Sequence, residues 1–113
     1  PAKAIWAHAK LEGVEFRALG NNPGWILEVV KGKTILFANY DGKINRYQFV
    51  RPEPEIDQAS RQTVFSVTNK DHAILITIIG EPCQDTFSGE SFDFSVTVKL
   101  DNKLFEGCGR SLL

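Results

Sequence analysis

The sequence predicts a small all-β domain, an antiparallel barrel or a two-sheet sandwich of about eight strands, with one short N-terminal helix and one disulfide. Apolar and polar residues alternate with a period of two in most of the chain. Gly, Asn and Asp separate these segments at the short intervals typical of hairpins. The length of 113 residues suits one domain, so we treat residues 1–113 as a single folding unit.

The helix is expected over residues 2–10, an alanine-rich segment that follows Pro1. Alternation is clearest over residues 92–100, where every second residue is apolar. The predicted strands are residues 14–19, 25–30, 33–39, 47–50, 62–68, 73–79, 92–100 and 103–106. Residues 51–61 contain Pro52 and Pro54, which cannot donate to a central sheet ladder, so we expect a charged surface loop there.

The charge balance argues against two classes of partner. Thirteen basic residues stand against fourteen acidic ones, which gives a net charge of -1. Without a basic surplus to neutralise phosphates we expect no nucleic acid partner, and a membrane-surface role lacks its polybasic signal. The longest apolar run covers residues 73–80, far short of the roughly 20 residues of a spanning helix, so we expect no transmembrane segment.

The two cysteines bear on the cellular compartment. Cys83 and Cys108 are 25 residues apart and form no C-x-x-C motif, which argues against a zinc site or a thioredoxin-type motif. An even number of cysteines in a small, loop-rich domain favours a structural disulfide and an oxidising compartment. The alternative is a pair of buried free thiols in a cytosolic protein.

The start of the sequence also fits export. The chain begins at Pro1 and contains no Met, and we interpret it as a form whose leader has been removed. A chain boundary unrelated to processing is the alternative. We therefore expect a periplasmic or secreted protein, and any lipid anchor would be attached to a cysteine upstream of Pro1.

Three short motifs are candidates for a functional site. The first, Gly20-Asn21-Asn22-Pro23-Gly24-Trp25, is a structured turn in front of a strand. One interpretation places Asn21 and Asn22 on a ligand-facing rim, with Trp25 as a stacking surface. The other, which we favour, is that Trp25 fills one end of the core. A phosphate-binding loop is excluded, because such a loop follows a strand and opens a helix.

The second motif, residues 83–90, combines carboxylates with hydroxyls. Asp85, Ser88 and Glu90 are the residue types of acid/base or nucleophilic chemistry, but a nucleophilic serine needs an activating base within hydrogen-bond reach. The two histidines of the chain lie outside any recognisable catalytic or metal-binding motif. We expect these side chains to satisfy backbone donors in their own turn, and we expect no metal and no cofactor.

The third motif is Gly107-Cys108-Gly109-Arg110. Its two glycines would let the chain approach closely around the disulfide. The disulfide would bring Arg110 beside residues 83–90, where an arginine can form a bidentate pair with Asp85 or Glu90. We expect Asp85 to be the partner, and a solvated arginine near the end of the chain is the alternative.

Taken in order, the three motifs resemble the signatures of an uncharacterised family of small bacterial periplasmic or lipoprotein-type envelope proteins. The matching residues are Phe16-Arg17-Ala18-x-Gly20-Asn21-x-Pro23-Gly24-Trp25, Cys83-x-Asp85-x-x-Ser88-Gly89-Glu90-x-Phe92 and Gly107-Cys108-Gly109-Arg110. The chain departs from the family pattern at Asn22, where an acidic residue is common, and at Phe87, where Met is common. The resemblance covers nearly the whole chain and implies a bacterial envelope location, but it implies no activity.

These observations favour a non-enzymatic extracytoplasmic module that binds an unknown protein or small ligand. The candidate binding residues are Asn21, Asn22, Trp25, Asp85, Ser88, Glu90 and Arg110. One alternative is a small hydrolase that uses the loop of Asp85, Ser88 and Glu90, and another is a purely structural envelope domain. A concave pocket with convergent polar groups would favour a small ligand or catalysis over a protein partner.

Overall fold

The computed structural model describes residues 2–21 and 23–112 of the chain. These residues form one helix, α1 (Ala2–Leu11), and nine strands. The strands are β1 (Val14–Gly20), β2 (Trp25–Val30), β3 (Thr34–Tyr40), β4 (Ile44–Val50), β5 (Glu55–Asp57), β6 (Gln62–Thr68), β7 (Ala73–Gln84), β8 (Ser91–Leu100) and β9 (Lys103–Ser111). The predicted short helix is therefore present, and the described residues hold one strand more than expected.

All nine strands belong to one antiparallel sheet in the order β4-β3-β2-β1-β9-β8-β7-β6-β5. The sheet curls into a half-barrel whose edge strands are β4 and β5. The predicted small antiparallel all-β fold is confirmed, with the curvature of a barrel. Because β9 pairs with β1, the first four strands form one half of the sheet and the last five form the other.

The main departure from the predicted elements lies in residues 51–61, which we expected to form a loop. They contain β5, which pairs with β6 and ends the sheet. Pro52 and Pro54 lie before β5 and outside the ladder, as the missing N–H of proline requires. The loop expectation is wrong for the three residues of β5, all of which are exposed and therefore show no alternation of burial.

β4 begins three residues before its predicted start, and two strands extend well beyond their predicted C-terminal ends. β7 continues to Gln84 past a bulge between Gly80 and Cys83. β9 continues to Ser111, so the motif at residues 107–110 is part of a strand. Each extension carries one cysteine of the disulfide into the sheet.

The main hydrophobic core lies on the inner face of the half-barrel. Alternate residues of the strands point into it, and Phe37 and Phe49 are among its fully buried side chains. A bulge at Glu15 interrupts the register of β1. Because of this bulge Phe16 belongs to the inner core, whereas Val14 belongs to a second cluster on the outer face.

Helix α1 packs on the outer face of the sheet over this second cluster. The buried members of the cluster are Trp6, Ala9, Val14, Phe92, Cys108 and Leu112. Trp6 and Ala9 are about one helical turn apart, so one side of α1 faces the sheet while Ile5 and Leu11 remain exposed. The helix therefore covers the part of the sheet that contains Cys108, one of the two cysteines of the disulfide.

β4 is an edge strand, and side-chain contacts connect it and the residue after it to the half of the sheet formed by β5–β9. Asn69 Nδ2 donates a hydrogen bond to the backbone oxygen of Gln48 over 2.9 Å. Just after β4, Arg51 forms a largely buried ion pair with Glu15, in which Nη2 lies 3.3 Å from Oε2. The guanidinium carbon of Arg51 also lies 5.3 Å from the centre of the Phe65 ring. The contacts of Asn69 and Phe65 therefore join β4 to β6 and the turn after it, while Glu15 fixes Arg51 to β1.

Candidate functional site

Two of the three motifs meet at one end of the half-barrel. The described residues of the β1–β2 connection (21, 23 and 24) and the β7–β8 connection (residues 85–90) lie side by side, because Asn21 Nδ2 donates a hydrogen bond to Asp85 Oδ1 over 2.6 Å. We call these two connections the loop pair. The third motif, at the end of β9, lies against the same region. Asn22, the remaining candidate of the first motif, lies outside the described residues.

Asp85 is the central residue of the loop pair. It is only 8% exposed, and its Oδ2 accepts hydrogen bonds from Ser88 N at 3.0 Å and Ser88 Oγ at 2.7 Å. Burial alone raises the pKa of Asp85. Hydrogen bonds from Ser88, the Phe87 N–H and Asn21 outweigh this effect and hold the pKa below the usual value of 3.8. Asp85 is therefore an ionised acceptor that orders its turn.

The Ser88 hydroxyl is bonded as donor and as acceptor. It donates to Asp85 and accepts a hydrogen bond from the N–H of Glu90 at 3.1 Å. A carboxylate with a lowered pKa is a poor base for activating a serine. His8 and His72 are each bonded to a carboxylate elsewhere, at 2.8 Å and 2.7 Å. The expectation of bonds to backbone donors within the turn is confirmed for Asp85 and Ser88, whereas the Glu90 side chain is bonded to Arg110.

Arg110 pairs with Glu90 instead of Asp85. Its Nη2 lies 3.1 Å from Glu90 Oε2 and 3.2 Å from the backbone oxygen of Ser91. The predicted contact of Arg110 with the β7–β8 connection is therefore confirmed, but the predicted partner is wrong. The physical reason is that donors from the loop pair already occupy the Asp85 carboxylate.

Two guanidinium groups lie within cation–π distance of the Trp6 ring, an arrangement that sequence reasoning missed. Arg17 and Arg110 face each other on β1 and β9. Their guanidinium carbons lie 4.9 Å and 4.8 Å from the centre of the Trp6 ring. Arg110 also lies 4.8 Å from the Phe92 ring, and Arg17 Nε is bonded to Glu28 at 3.1 Å. The stack fastens α1 to the sheet, and no local pattern connects residues so distant in sequence.

Trp25 fills one end of the inner core. It is 3% exposed, and its ring centre lies 5.9 Å from that of Phe37. Its Nε1 donates to the backbone oxygen of Glu106 over 3.3 Å. A Cβ atom added at Gly20 or Gly107 would collide with the indole ring. The interpretation of Trp25 as a ligand-stacking surface is therefore wrong, and the core interpretation is confirmed.

The Cys83–Cys108 disulfide joins β7 to β9, the two strands that flank β8. This bond confirms the predicted pairing. The glycines on either side of Cys108 leave space for groups of β1. A Cβ at Gly107 would lie 2.0 Å from the backbone oxygen of Leu19. A Cβ at Gly109 would lie 2.4 Å from Phe16 Cζ. The glycines thus permit close packing against β1, which differs from the expected role in accommodating the disulfide.

A polar groove of about 460 Å³ adjoins the disulfide. Carboxylates on its walls include those of Glu81, Asp85 and Glu106. One of them, Glu81, already accepts a hydrogen bond from Ser95 Oγ at 2.7 Å. Within the described residues no group of three His, Cys, Asp or Glu side chains is arranged to hold a metal ion.

A different surface lies on the half of the sheet formed by β1–β4. Most inward-facing side chains of β2, β3 and β4 are apolar, and several of their outward-facing side chains are apolar too. We call this outer surface the apolar face. Its residues are Ile26, Leu36, Ala38, Tyr40 and Ile44. Two shallow grooves of about 470 Å³ and 490 Å³ cross it. Sequence reasoning missed this face, although apolar residues at consecutive positions in β2 and β3 were a signal of it.

Comparisons with known proteins identify no family. No protein-family model matches the chain, and no curated protein and no solved structure gives a significant match to it. The resemblance to the envelope family stays a prediction that rests on the three motifs. In the part of the chain that the structure describes, no helix combines the length and apolar character needed to span a membrane.

Proposed function

We propose that this protein is a non-enzymatic extracytoplasmic binding module that contacts its partner through the apolar face. The observation that carries the proposal is the exposure of this face, where Tyr40 and Ile44 are each 56% exposed. Ile26 and Leu36 extend the same surface across β2 and β3. Contiguous exposed apolar patches on folded domains commonly mark interaction sites. A purely structural domain would gain nothing from leaving such a surface in water.

The loop pair contributes rigidity in this proposal. Asn21, Asp85 and Ser88 are bonded to one another, and Arg110 is bonded to Glu90. A ligand at these groups would have to replace bonds that already stabilise the fold. The hydrolase alternative also lacks support from this geometry, because the Ser88 hydroxyl faces an ionised carboxylate instead of a neutral base.

The extracytoplasmic location is part of the same proposal. The disulfide supports it, because such bonds persist in oxidising compartments and are rare in the cytosol. Fractionation of cells that produce the natural full-length protein, with alkylation of free thiols before lysis, tests the location. We expect a periplasmic or secreted protein whose two cysteines resist alkylation. A cytosolic protein with two alkylated thiols would refute the location.

The test of the non-enzymatic assignment is a hydrolase screen with ester, glycoside, phosphate and peptide substrates. Wild type is compared with Ser88→Ala and Glu90→Ala, and Ser66→Ala on β6 serves as the matched exposed serine. We expect no turnover above background from any of the four proteins. Turnover by wild type and Ser66→Ala that disappears in a still-folded Ser88→Ala protein would establish the hydrolase instead.

A further inference from the structure

We propose that the apolar face docks onto an anionic lipid surface. The inference rests on the proposed function and names the partner of the same face. It begins from the way in which the sheet separates the charges of the chain. Residues 1–50, which contain α1 and β1–β4, carry seven Lys and Arg against four Asp and Glu, a net charge of +3. Residues 51–113, which contain β5–β9, carry six against ten, a net charge of -4.

The sheet order turns this sequence asymmetry into a spatial one. β1–β4 are contiguous in the sheet, and so are β5–β9, so the two net charges lie on opposite halves of the molecule. The net charge of -1 for the whole chain is the sum of these two opposite charges. The expectation that a membrane-surface role lacks its basic signal used that sum, which conceals the positive balance of the half that carries the apolar face.

Basic side chains surround the apolar face. Lys31 and Lys33 lie in the β2–β3 turn at one end of it, and Lys43 precedes β4 at the other end. Arg46 lies on β4 opposite Ala38, within the face itself. All four cations are exposed, and among the described side chains none of them takes part in an ion pair.

The acidic side chains on this half are mostly engaged with partners. Glu28 is bonded to Arg17 at 3.1 Å, and Asp41 accepts a hydrogen bond from Asn45 at 3.0 Å. Only Glu28 is paired with a cation, so the charge of Asp41 offsets one of the four cations and the surroundings of the apolar face keep a positive balance. The positive potential of the face is available to an external anion.

The combination of aliphatic side chains with surrounding lysines favours a lipid surface over other anionic partners. The ring of Tyr40 and the side chain of Ile44 suit the boundary between headgroups and acyl chains. Lysine side chains can extend past this apolar layer to reach phosphate groups. A nucleic acid, in contrast, would meet aliphatic groups at the centre of the surface, where it needs cations.

The experiment is cosedimentation of the protein with two kinds of vesicle. One consists of phosphatidylcholine alone, and the other contains added phosphatidylglycerol. We expect wild type to bind the anionic vesicles, to leave the neutral ones largely unbound, and to dissociate as salt is raised. Lys43→Glu should weaken binding by at least about fivefold, the effect of one surface cation near anionic lipid. Ile44→Ser should weaken it by about tenfold through lost apolar contact.

Matched controls come from the acidic half of the sheet. Lys103→Glu changes an exposed lysine of the β9 end, and Ile56→Ser changes an isoleucine that is 64% exposed on β5. Both controls should bind anionic vesicles within about twofold of wild type. Circular dichroism of all four variants establishes that they fold, which is expected because every substituted side chain is exposed.

Four results would overturn the lipid assignment. The first three are absence of binding to anionic vesicles, equal losses in the controls and the β4 variants, and salt-sensitive self-association without lipid that Lys43→Glu abolishes. The third result would assign the face to the acidic half of a second copy. Salt-sensitive binding of an oligonucleotide that exceeds vesicle binding would likewise favour nucleic acid. Failure with vesicles leaves the hydrolase screen unaffected, so the two proposals fail separately.

Discussion

The loop pair and the apolar face differ in how their surface groups are satisfied. In the loop pair the side chains of Asn21, Asp85 and Ser88 are bonded to one another, so the polar motif is directed inward. On the apolar face Tyr40 and Ile44 are more than half exposed and are packed on one side only. The loop pair thus has the more distinctive sequence motifs, but its polar groups are already bonded to one another and are less available to a ligand.

This difference separates two kinds of substitution. Changes in the loop pair and the strands beside it should alter the free energy of unfolding. Changes on the apolar face should leave it nearly constant and alter binding. Substitutions at the disulfide, Gly107 and Asp85 test the first expectation, and substitutions on the apolar face test the second. Together they rank the sites by their effect on stability.

The disulfide should give the largest effect. Replacing Cys83 and Cys108 together by Ser should lower the free energy of unfolding by about 3.5 kcal/mol, because the unfolded chain loses the constraint on a loop of 25 residues. Urea denaturation of both proteins measures the difference. A reductant should bring wild type to the stability of the double variant and leave the variant unchanged. An unchanged wild-type midpoint under full reduction would show that the bond contributes little.

A methyl group at Gly107 should cost about 3 kcal/mol. The added Cβ of Gly107→Ala would lie 2.0 Å from the backbone oxygen of Leu19 and 2.8 Å from Trp25, so β1 and β9 must separate to accept it. Thermal and urea unfolding measure the loss. Gly24→Ala is the matched control, since nothing lies within 4 Å of its added Cβ. Equal effects at the two glycines would mean that backbone entropy, and not this close packing, determines the result.

Local patterns predicted the elements whose residues alternate between core and solvent. The strand over residues 92–100 and the hairpin at residues 62–79 were found in this way, and the short helix was predicted from its alanine content. β5 was not found, because its three exposed residues carry no alternation and the partner strand alone holds it in the sheet. The pairing of the two cysteines followed from their number, which requires no knowledge of the fold.

The candidate site was harder to predict than the fold, because its contacts depend on distances between remote segments. The preference of Arg110 for Glu90 follows from the prior occupation of Asp85 by Asn21 and Ser88. The contact of Trp6 with two arginines follows from the pairing of β1 with β9. Neither arrangement has a local sequence pattern. The difference in net charge between residues 1–50 and residues 51–113 can be counted from the sequence, but only the sheet order places the two charges on opposite halves of the molecule.

Removing the charge of Asp85 should cost about 2 kcal/mol at neutral pH, because three hydrogen bonds to a buried carboxylate are weakened. The folded-state pKa of Asp85 lies below the unfolded value of about 3.9, so this stabilisation is complete above that pH. It is lost as the pH falls through the folded-state pKa. The stability difference between wild type and Asp85→Asn should therefore shrink in acid, as urea titrations at several pH values would measure.

Asp101→Asn serves as a control for this pH dependence. The pKa of Asp101 is also lowered, first by the hydrogen bond from the Ala73 N–H and then by His72. Wild type therefore loses stability in acid at two sites, and only the comparison of single variants separates them. A difference between wild type and Asp85→Asn that stays constant from neutral to acid pH would contradict the assigned role of the Asp85 carboxylate.

The smallest effect on stability should come from the apolar face. Ile44→Ser and Tyr40→Ser each change a side chain that is 56% exposed, so we expect the free energy of unfolding to shift by no more than about 0.5 kcal/mol. Ile35→Ala on the inner face of β3 is the contrasting variant. It should cost about 3 kcal/mol, because Ile35 is fully buried in the core. Urea denaturation of the three variants places all of these values on one scale.

The near-zero result is as informative as the large ones. If Ile44 contributed to folding, its replacement would destabilise the half-barrel, and weaker vesicle binding by Ile44→Ser would then have a trivial explanation. Loss of binding at constant stability assigns the side chain to a partner instead. A destabilisation above about 1 kcal/mol, beyond the usual range for an exposed position, would show that β4 needs this side chain to hold the edge of the sheet. Ile44 would then contribute to folding as the residues of the loop pair do, and the two regions would no longer differ in their effect on stability.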